Sequence, residues 1–298
     1  MWFIYAIIHV FLMAVVNFTD EILATDNKIP KKSNIHTKVG SVLIASTLMC
    51  FIGASFLGVI TKNTLLDSIP MLLAIISAIT MVSYWASYFY LLQVYPVHQV
   101  VPLNQISSIW LLVIELLFGG SITINGLLGI ILLIYGAYVL DSGTFKWQIP
   151  TKLLLFAIPA TLTWSITLFL VRKASELGSP TAIYFWQLIA TGTFGLVFLT
   201  FVKKYREGFL FRIKHQGKKF LGISLLNETF SETSYLFSSL AVAVAPVAAY
   251  VSAMSGVQGL FIIILMFLFP IGGRAKVTRM QLIAAILISA GVFFIERK

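Results

Sequence analysis

The chain has 298 residues, 59% of them hydrophobic and 11% charged, with a formal net charge of +10, whereas an ordinary soluble domain is charged at about a quarter of its positions. A water-soluble fold of this size could not hide so much apolar surface, and the bases lie in short loops with no soluble domain to carry a nucleic-acid recognition surface. Cys50 is the single cysteine, which excludes an intrachain disulfide framework and a CxxC metal site.

Residues 2–18 form the first apolar run. It lacks the basic leader and small-residue cleavage site of a signal peptide, so it reads as a retained helix. Further apolar runs fall at 39–60, 69–94, 97–118, 123–140, 153–171, 181–202, 220–243, 247–269 and 280–295. A bilayer core takes roughly 20 apolar residues per helical crossing. "LLGIILLIYGAYVL" lacks the alternation of a membrane β-strand, and only helices and closed barrels satisfy their own backbone in lipid. The expected fold class is therefore all-α integral membrane, with ten transmembrane helices, in the cell (plasma or inner) membrane. Alternating the loops places 16 Lys and Arg on one side, including Lys28, Lys38, Lys152 and the bases from Lys203 to Lys219, and 5 on the other. Retention of bases on the cytoplasmic face then puts both termini outside.

Two stretches of the chain are alike. "LLQVYPVHQVVPLNQISSIWLLVIELLFGG" resembles "SLAVAVAPVAAYVSAMSGVQGLFIIILMFLF", with Pro96 matching Pro246 at an offset of 150. Beyond them Thr123 pairs with Thr278 and Gly136 with Gly291 at an offset of 155, the difference being an insertion near "PIGGRAK". The halves are residues 1–142 and 143–298, of five helices each. Five is odd, so the second half enters the membrane from the opposite face. Such inverted repeats are the usual construction of secondary transporters, whose substrate site lies near the midplane between the halves.

Ten helices as five plus five, a Pro opening the fourth ("YPVHQVVP") and the ninth ("APVAAY"), and Gly-containing fifth and tenth helices together resemble the drug/metabolite transporter superfamily, in its duplicated EamA-domain branch. The resemblance covers nearly the whole chain. It implies a ten-helix bundle and secondary transport of small metabolites, often export, with both termini in the cytoplasm, opposite to the charge count. Many members of that superfamily carry a Gly-Glu pair after the fourth and ninth helices. This chain has Gly119-Gly120 and Gly272-Gly273 instead, so no role for that Glu carries over.

The eighth run, "SLLNETFSETSYLFSSLAVAV", holds Glu228 and Glu232 near mid-membrane at 1.5 Å per residue, on one face and one turn apart. A charge at that depth costs about 2.5–3.5 kcal/mol on insertion scales. Compensation comes from a water-filled chamber where one Glu takes up and releases a proton, from the ammonium of a cationic or zwitterionic substrate, or from bonds to Asn227, Thr229, Ser231, Ser234 or a distant base that only stabilise packing. Tyr84, Trp85 and Tyr88 lie on the third helix, the repeat-mate of the eighth. Aromatic faces beside carboxylates suit an amine-bearing or cationic metabolite, though aromatic stripes also serve lipid contact and core packing.

Asn104 and Gln105 follow Pro102, which frees a carbonyl one turn earlier. They serve as substrate contacts at a broken helix or as helix-to-helix bonds worth about 0.6 kcal/mol. Gln258, Gln187 and Trp164 are weaker candidates. His9 reads as a proton relay or as a packed histidine, and Glu115 as an acid snorkelling toward water. Asp20 and Glu21, and Arg172 and Lys173, read as interfacial caps.

No HExxH, GxSxG, paired-His or Walker motif occurs, and no acid cluster marks a metal-dependent membrane enzyme. The expectation is a non-enzymatic transporter without cofactor or metal, monomeric or homodimeric, whose partners are a small-molecule substrate and the lipid bilayer and not nucleic acid. The alternatives are a membrane-embedded scaffold or sensor without transport and, further off, a membrane enzyme or channel.

Overall fold

The computed structural model describes residues 1–25, 35–61, 64–95, 100–142, 150–268 and 278–296. Among these the regular structure is helical throughout, with no strand. The helices are α1 (Trp2–Thr25), α2 (Ile35–Ile60), α3 (Ser68–Val94), α4 (Ile106–Leu117), α5 (Ile124–Ser142), α6 (Thr151–Ser175), α7 (Pro180–Phe201), α8 (Lys203–Val244), α9 (Ala248–Met254), α10 (Gln258–Leu268) and α11 (Arg279–Glu296). Short 3₁₀ stretches, Val101–Gln105 and Ser255–Val257, lead into α4 and separate α9 from α10.

Five helices, α2, α3, α6, α7 and α11, are long and apolar enough to cross a bilayer, and residues 2–17, 103–117, 124–140 and 248–264 are shorter apolar helices. Polarity is distributed to match. Ile52, Phe56, Ile76, Leu128, Leu155, Leu196 and Ile286 face outward, while Ser46, Thr47, Ser107, Thr191, Asn227 and Glu228 are buried. A water-soluble protein of this size would arrange these residue types the other way round.

The apolar runs read from sequence recur with two differences. The first helix continues to Thr25, so Asp20 and Glu21 fall inside it and do not follow it as caps; their side chains lie outside the described residues. The basic connection "KKYREGFLFRIKHQGKK" is not a loop, since 203–216 is helical and turns into 218–244 at Gly217, whose φ of 44° and ψ of −121° suit glycine alone. This arm packs on the start of α2, where Tyr205 covers Gly40 and Thr37 meets Gly208. Pro96, Gly272-Gly273 and the "PIGGRAK" insertion lie outside the described residues.

Every buried residue of α3 from Pro70 to Leu92 has a buried counterpart 150 positions on in α8, from Phe220 to Val242. The two helices run antiparallel and touch at Trp85 and Tyr235, whose bond joins residues separated by that same 150. Helices α5 and α11 pack closely through glycines. A Cβ on Gly136 would stand 2.8 Å from Ile288, and one on Gly291 would stand 2.8 Å from Leu133. At an offset of 155 these are the same contact made twice with the partners exchanged.

Candidate functional site

Helix 218–244 presents a polar face, Asn227, Glu228, Ser231, Glu232, Ser234, Ser238 and Ser239, all buried. It is covered by α1, α2, α6 and α7. Beside it lies a small chamber of about 60 Å³ whose walls include His9, Asn17, Ser46, Trp164, Ser231 and Tyr235. Of the residues singled out from sequence, Asn227, Glu228, Tyr84, Trp85, Tyr88, Asn104, Gln105 and Gln258 also line it. Glu232 does not.

The two carboxylates have different surroundings. Ser46 Oγ of α2 donates to Glu228 Oε1 (2.6 Å). One turn on, the Cys50 thiol of α2 stands 3.0 Å from Glu232 Oε1, and the Tyr184 hydroxyl of α7 bonds to Glu232 Oε2 and lies 2.9 Å from the Glu232 carbonyl. Both rungs join residues 182 apart, so α2 and 218–244 run parallel and in register. Cys50 therefore meets a buried carboxylate. Tyr184 carried no signal in the sequence, being one tyrosine in an apolar helix.

An aromatic wall faces Glu228. Tyr84 stacks on Tyr88 with ring centroids 6.0 Å apart and meets Trp164 at 5.1 Å. Trp85 Nε1 donates to Tyr235 Oη (3.3 Å), and the Tyr88 hydroxyl donates to Asn17 Oδ1 (3.3 Å). On α1, His9 Nδ1 lies 2.7 Å from Ser234 Oγ and 3.1 Å from the Ser234 carbonyl. A carbonyl only accepts, so His9 carries a proton on Nδ1.

The broken segments supply the amides. Asn104 and Gln105 end the first 3₁₀ stretch; Ser255 opens the second and Gln258 follows it. Gln258 Nε2 donates to the Met13 carbonyl (2.8 Å), tying α10 to α1. Gln105 is 3% exposed, and its Oε1 has no hydrogen-bond partner among the described residues. An unmade bond on a buried acceptor costs about 1–3 kcal/mol, which a ligand donor in the chamber would recover. Gln187 lies away from the chamber, with Nε2 3.7 Å from the Met81 sulfur.

The chamber is lined by the C-terminal half of α3 and the middle of 218–244. At the C-terminal end of 218–244 the structure is fastened. Glu115 is buried there and does not reach for water: its Oε1 and Oε2 accept from the Ala248 and Ala249 amides at 2.9 and 3.0 Å. Arg172 stands 3.5 Å from Glu115 and donates to the Ala245 and Pro246 carbonyls, both at 3.1 Å. A carboxylate thus caps the start of α9 while a guanidinium caps the end of α8, each matching the helix dipole it faces. Between Tyr235 and Ala245 the helix rises about 15 Å, so clasp and chamber are well separated.

Compared with family models and with curated protein sequences, the chain matches none. Among solved structures it is similar to one titled only "Crystal structure of protein", at a TM-score of 0.61 and 15% identity over 95% of each chain. At that identity the likeness concerns the fold alone.

Proposed function

We propose that this chain is a secondary active transporter of a small amine-bearing or cationic metabolite, working by alternating access between two inverted five-helix halves with ten membrane crossings, in the manner of the EamA branch of the drug/metabolite transporter superfamily. The observation that carries this reading is the chamber itself. A carboxylate, Glu228, stands across from stacked aromatic rings, with amides from two broken helices around them. Aromatic faces attract a desolvated cation by about 0.5–2 kcal/mol, and the carboxylate supplies the countercharge.

The inverted construction is supported by the burial match at 150 residues, by the Trp85–Tyr235 contact between counterparts, and by the exchanged Gly136–Ile288 and Gly291–Leu133 contacts. Alternating access is supported by the separation of the chamber from the Glu115–Arg172 clasp, which ties α4, α6 and α9 together at one end. From the clasp, the chamber lies toward the end bearing Lys38 and the bases from Lys203 to Lys219, which the positive-inside rule assigns to the cytoplasm. Loading from that side fits export.

The test is a thermal-shift screen of the purified chain against putrescine, choline, lysine and glucose. One of the three amines stabilises the wild type, glucose does not, and Glu228→Gln abolishes the shift while the variant remains folded. At 100 times its dissociation constant a ligand adds about 2.7 kcal/mol. Stabilisation by no amine, or equal stabilisation of Glu228→Gln, refutes the reading in favour of a scaffold or sensor.

A further inference from the structure

The sequence treats Glu228 and Glu232 as one pair, but the structure separates them, and the separation points to a second site. Glu232 lies outside the chamber wall. Its stem packs on Gly53 and Leu188, and its carboxyl is held by the Cys50 thiol and the Tyr184 hydroxyl. The titratable groups around it are Cys50 on α2, Tyr184 on α7, and Glu228 and Tyr235 on its own helix; from α1, His9 bonds Ser234, two residues on. None of its bonding partners among the described residues is a cation.

The proton inventory of this cluster is unusual. Tyr184 Oη has one proton and two oxygens within reach, Glu232 Oε2 and the Glu232 carbonyl. The Cys50 thiol also has one proton and two acceptors, Glu232 Oε1 at 3.0 Å and the Ser46 carbonyl at 3.5 Å. With Glu232 ionised, phenol and thiol both donate to the carboxylate. With Glu232 protonated, its O–H donates to Tyr184 Oη, the phenolic proton turns to the Glu232 carbonyl, and the thiol stays on Oε1. Each hydrogen has an acceptor in either state, and no heavy atom moves.

We propose that Glu232, Tyr184 and Cys50 form a proton-binding site distinct from the chamber. One proton from water converts the carboxylate to the carboxyl and returns by the same route; no other bond changes. The route runs through the chamber, whose wall includes Ser231 and Glu228, the residue beside Glu232 and the carboxyl one turn away. That this proton drives transport rests on the function proposed above, whereas its binding does not. Occupation by a cation at Glu228 and by a proton at Glu232 then couples along the two rungs that α2 makes to the same helix.

Infrared difference spectra of the full chain in lipid, recorded between acidic and alkaline pH without added ligand, read carboxyl protonation directly. The expected result is a carboxyl C=O band that grows as pH falls, is missing in Glu232→Gln and persists in Glu228→Gln. Tyr184→Phe and Cys50→Ser should both shift its frequency by changing the bonds to the carboxyl. If Glu232→Gln fails to fold, the Tyr184→Phe shift decides the matter. A titrating band that survives Glu232→Gln, vanishes in Glu228→Gln or ignores Tyr184→Phe overturns the proposal, as does the absence of any titrating carboxyl band. Failure of the amine screen alongside a Glu232-dependent band would remove the transport reading and leave the proton site standing.

Discussion

Glu115→Gln separates a structural tie from a gate. Gln can accept from one of the two backbone amides at Ala248 and Ala249, but its NH2 faces the other, so at least one charge-assisted bond is lost. Such a bond is worth about 1.5–3 kcal/mol. Arg172 is partly exposed at 21% and 3.5 Å away, so losing that pair adds no more than about 1 kcal/mol after solvent screening. If the clasp exists in one state of an alternating cycle and not in the other, a loss of about 2–3 kcal/mol falls on that state alone. It then raises the population open at the clasp about 30- to 150-fold, at tenfold per 1.4 kcal/mol. Ser252, 4% exposed and one turn deeper than Ala248, reports on this. In a Cys50→Ser background carrying Ser252→Cys, labelling by a membrane-impermeant maleimide from the clasp side should accelerate by about that factor when Glu115→Gln is added. A melting temperature that drops with no change in labelling would show that the clasp only holds the fold together, and the gating argument would fail.

Two further substitutions follow from the geometry. Gln105→Leu removes a buried acceptor that has no partner among the described residues, so ligand-free thermal stability should hold or rise while affinity for the amine found in the screen falls about 2- to 10-fold, the worth of one neutral hydrogen bond; an unchanged affinity would take Gln105 out of the site. Gly291→Leu drives a side chain into Leu133 and the Gly129 carbonyl, which a Cβ would already approach to 2.8 and 2.9 Å. Overpacking of this kind costs about 1–3 kcal/mol or more, and size-exclusion traces in detergent should show loss of the folded peak, whereas a stable variant would mean that α5 and α11 do not depend on close approach.

Helix placement was legible because apolar runs of membrane length leave little choice, and the polar face of 218–244 was legible because no lipid-facing helix keeps Asn227, Glu228 and Glu232. The division between the two acids was not. Residues four apart share a face only loosely, being turned about 40° from one another at 3.6 residues per turn. That is enough to aim Glu228 into the chamber and Glu232 at the partners Cys50 and Tyr184, which no spacing rule connects. The arm at 203–216 was read as a loop because its charges mask a helix that needs α2 to pack against. Glu115 was misread because the amides it caps lie more than 130 residues away, a tertiary fact with no local trace. The 3₁₀ break at Ser255–Val257 had only Gly256 to announce it.

Helices α3 and α8 bury the same positions with opposite chemistry, and this asymmetry constrains how the protein is assembled. The α3 face is apolar and aromatic, and α3 is among the five helices apolar enough to cross by themselves; α8 is in neither the long nor the short apolar group. Two ionised Glu on 218–244 would alone cost about 5–7 kcal/mol on insertion scales. Several of the bonds that offset this come from the first half of the chain: His9 of α1 to Ser234, Ser46 of α2 to Glu228, and Cys50 of α2 to Glu232. If the ten-crossing arrangement proposed above holds, helix 218–244 becomes stable in lipid when α1 and α2 are already there to receive it. The residues that make this helix costly to insert are the ones that line the chamber and the proposed proton site, so the chemistry of the second half depends on the folded first half.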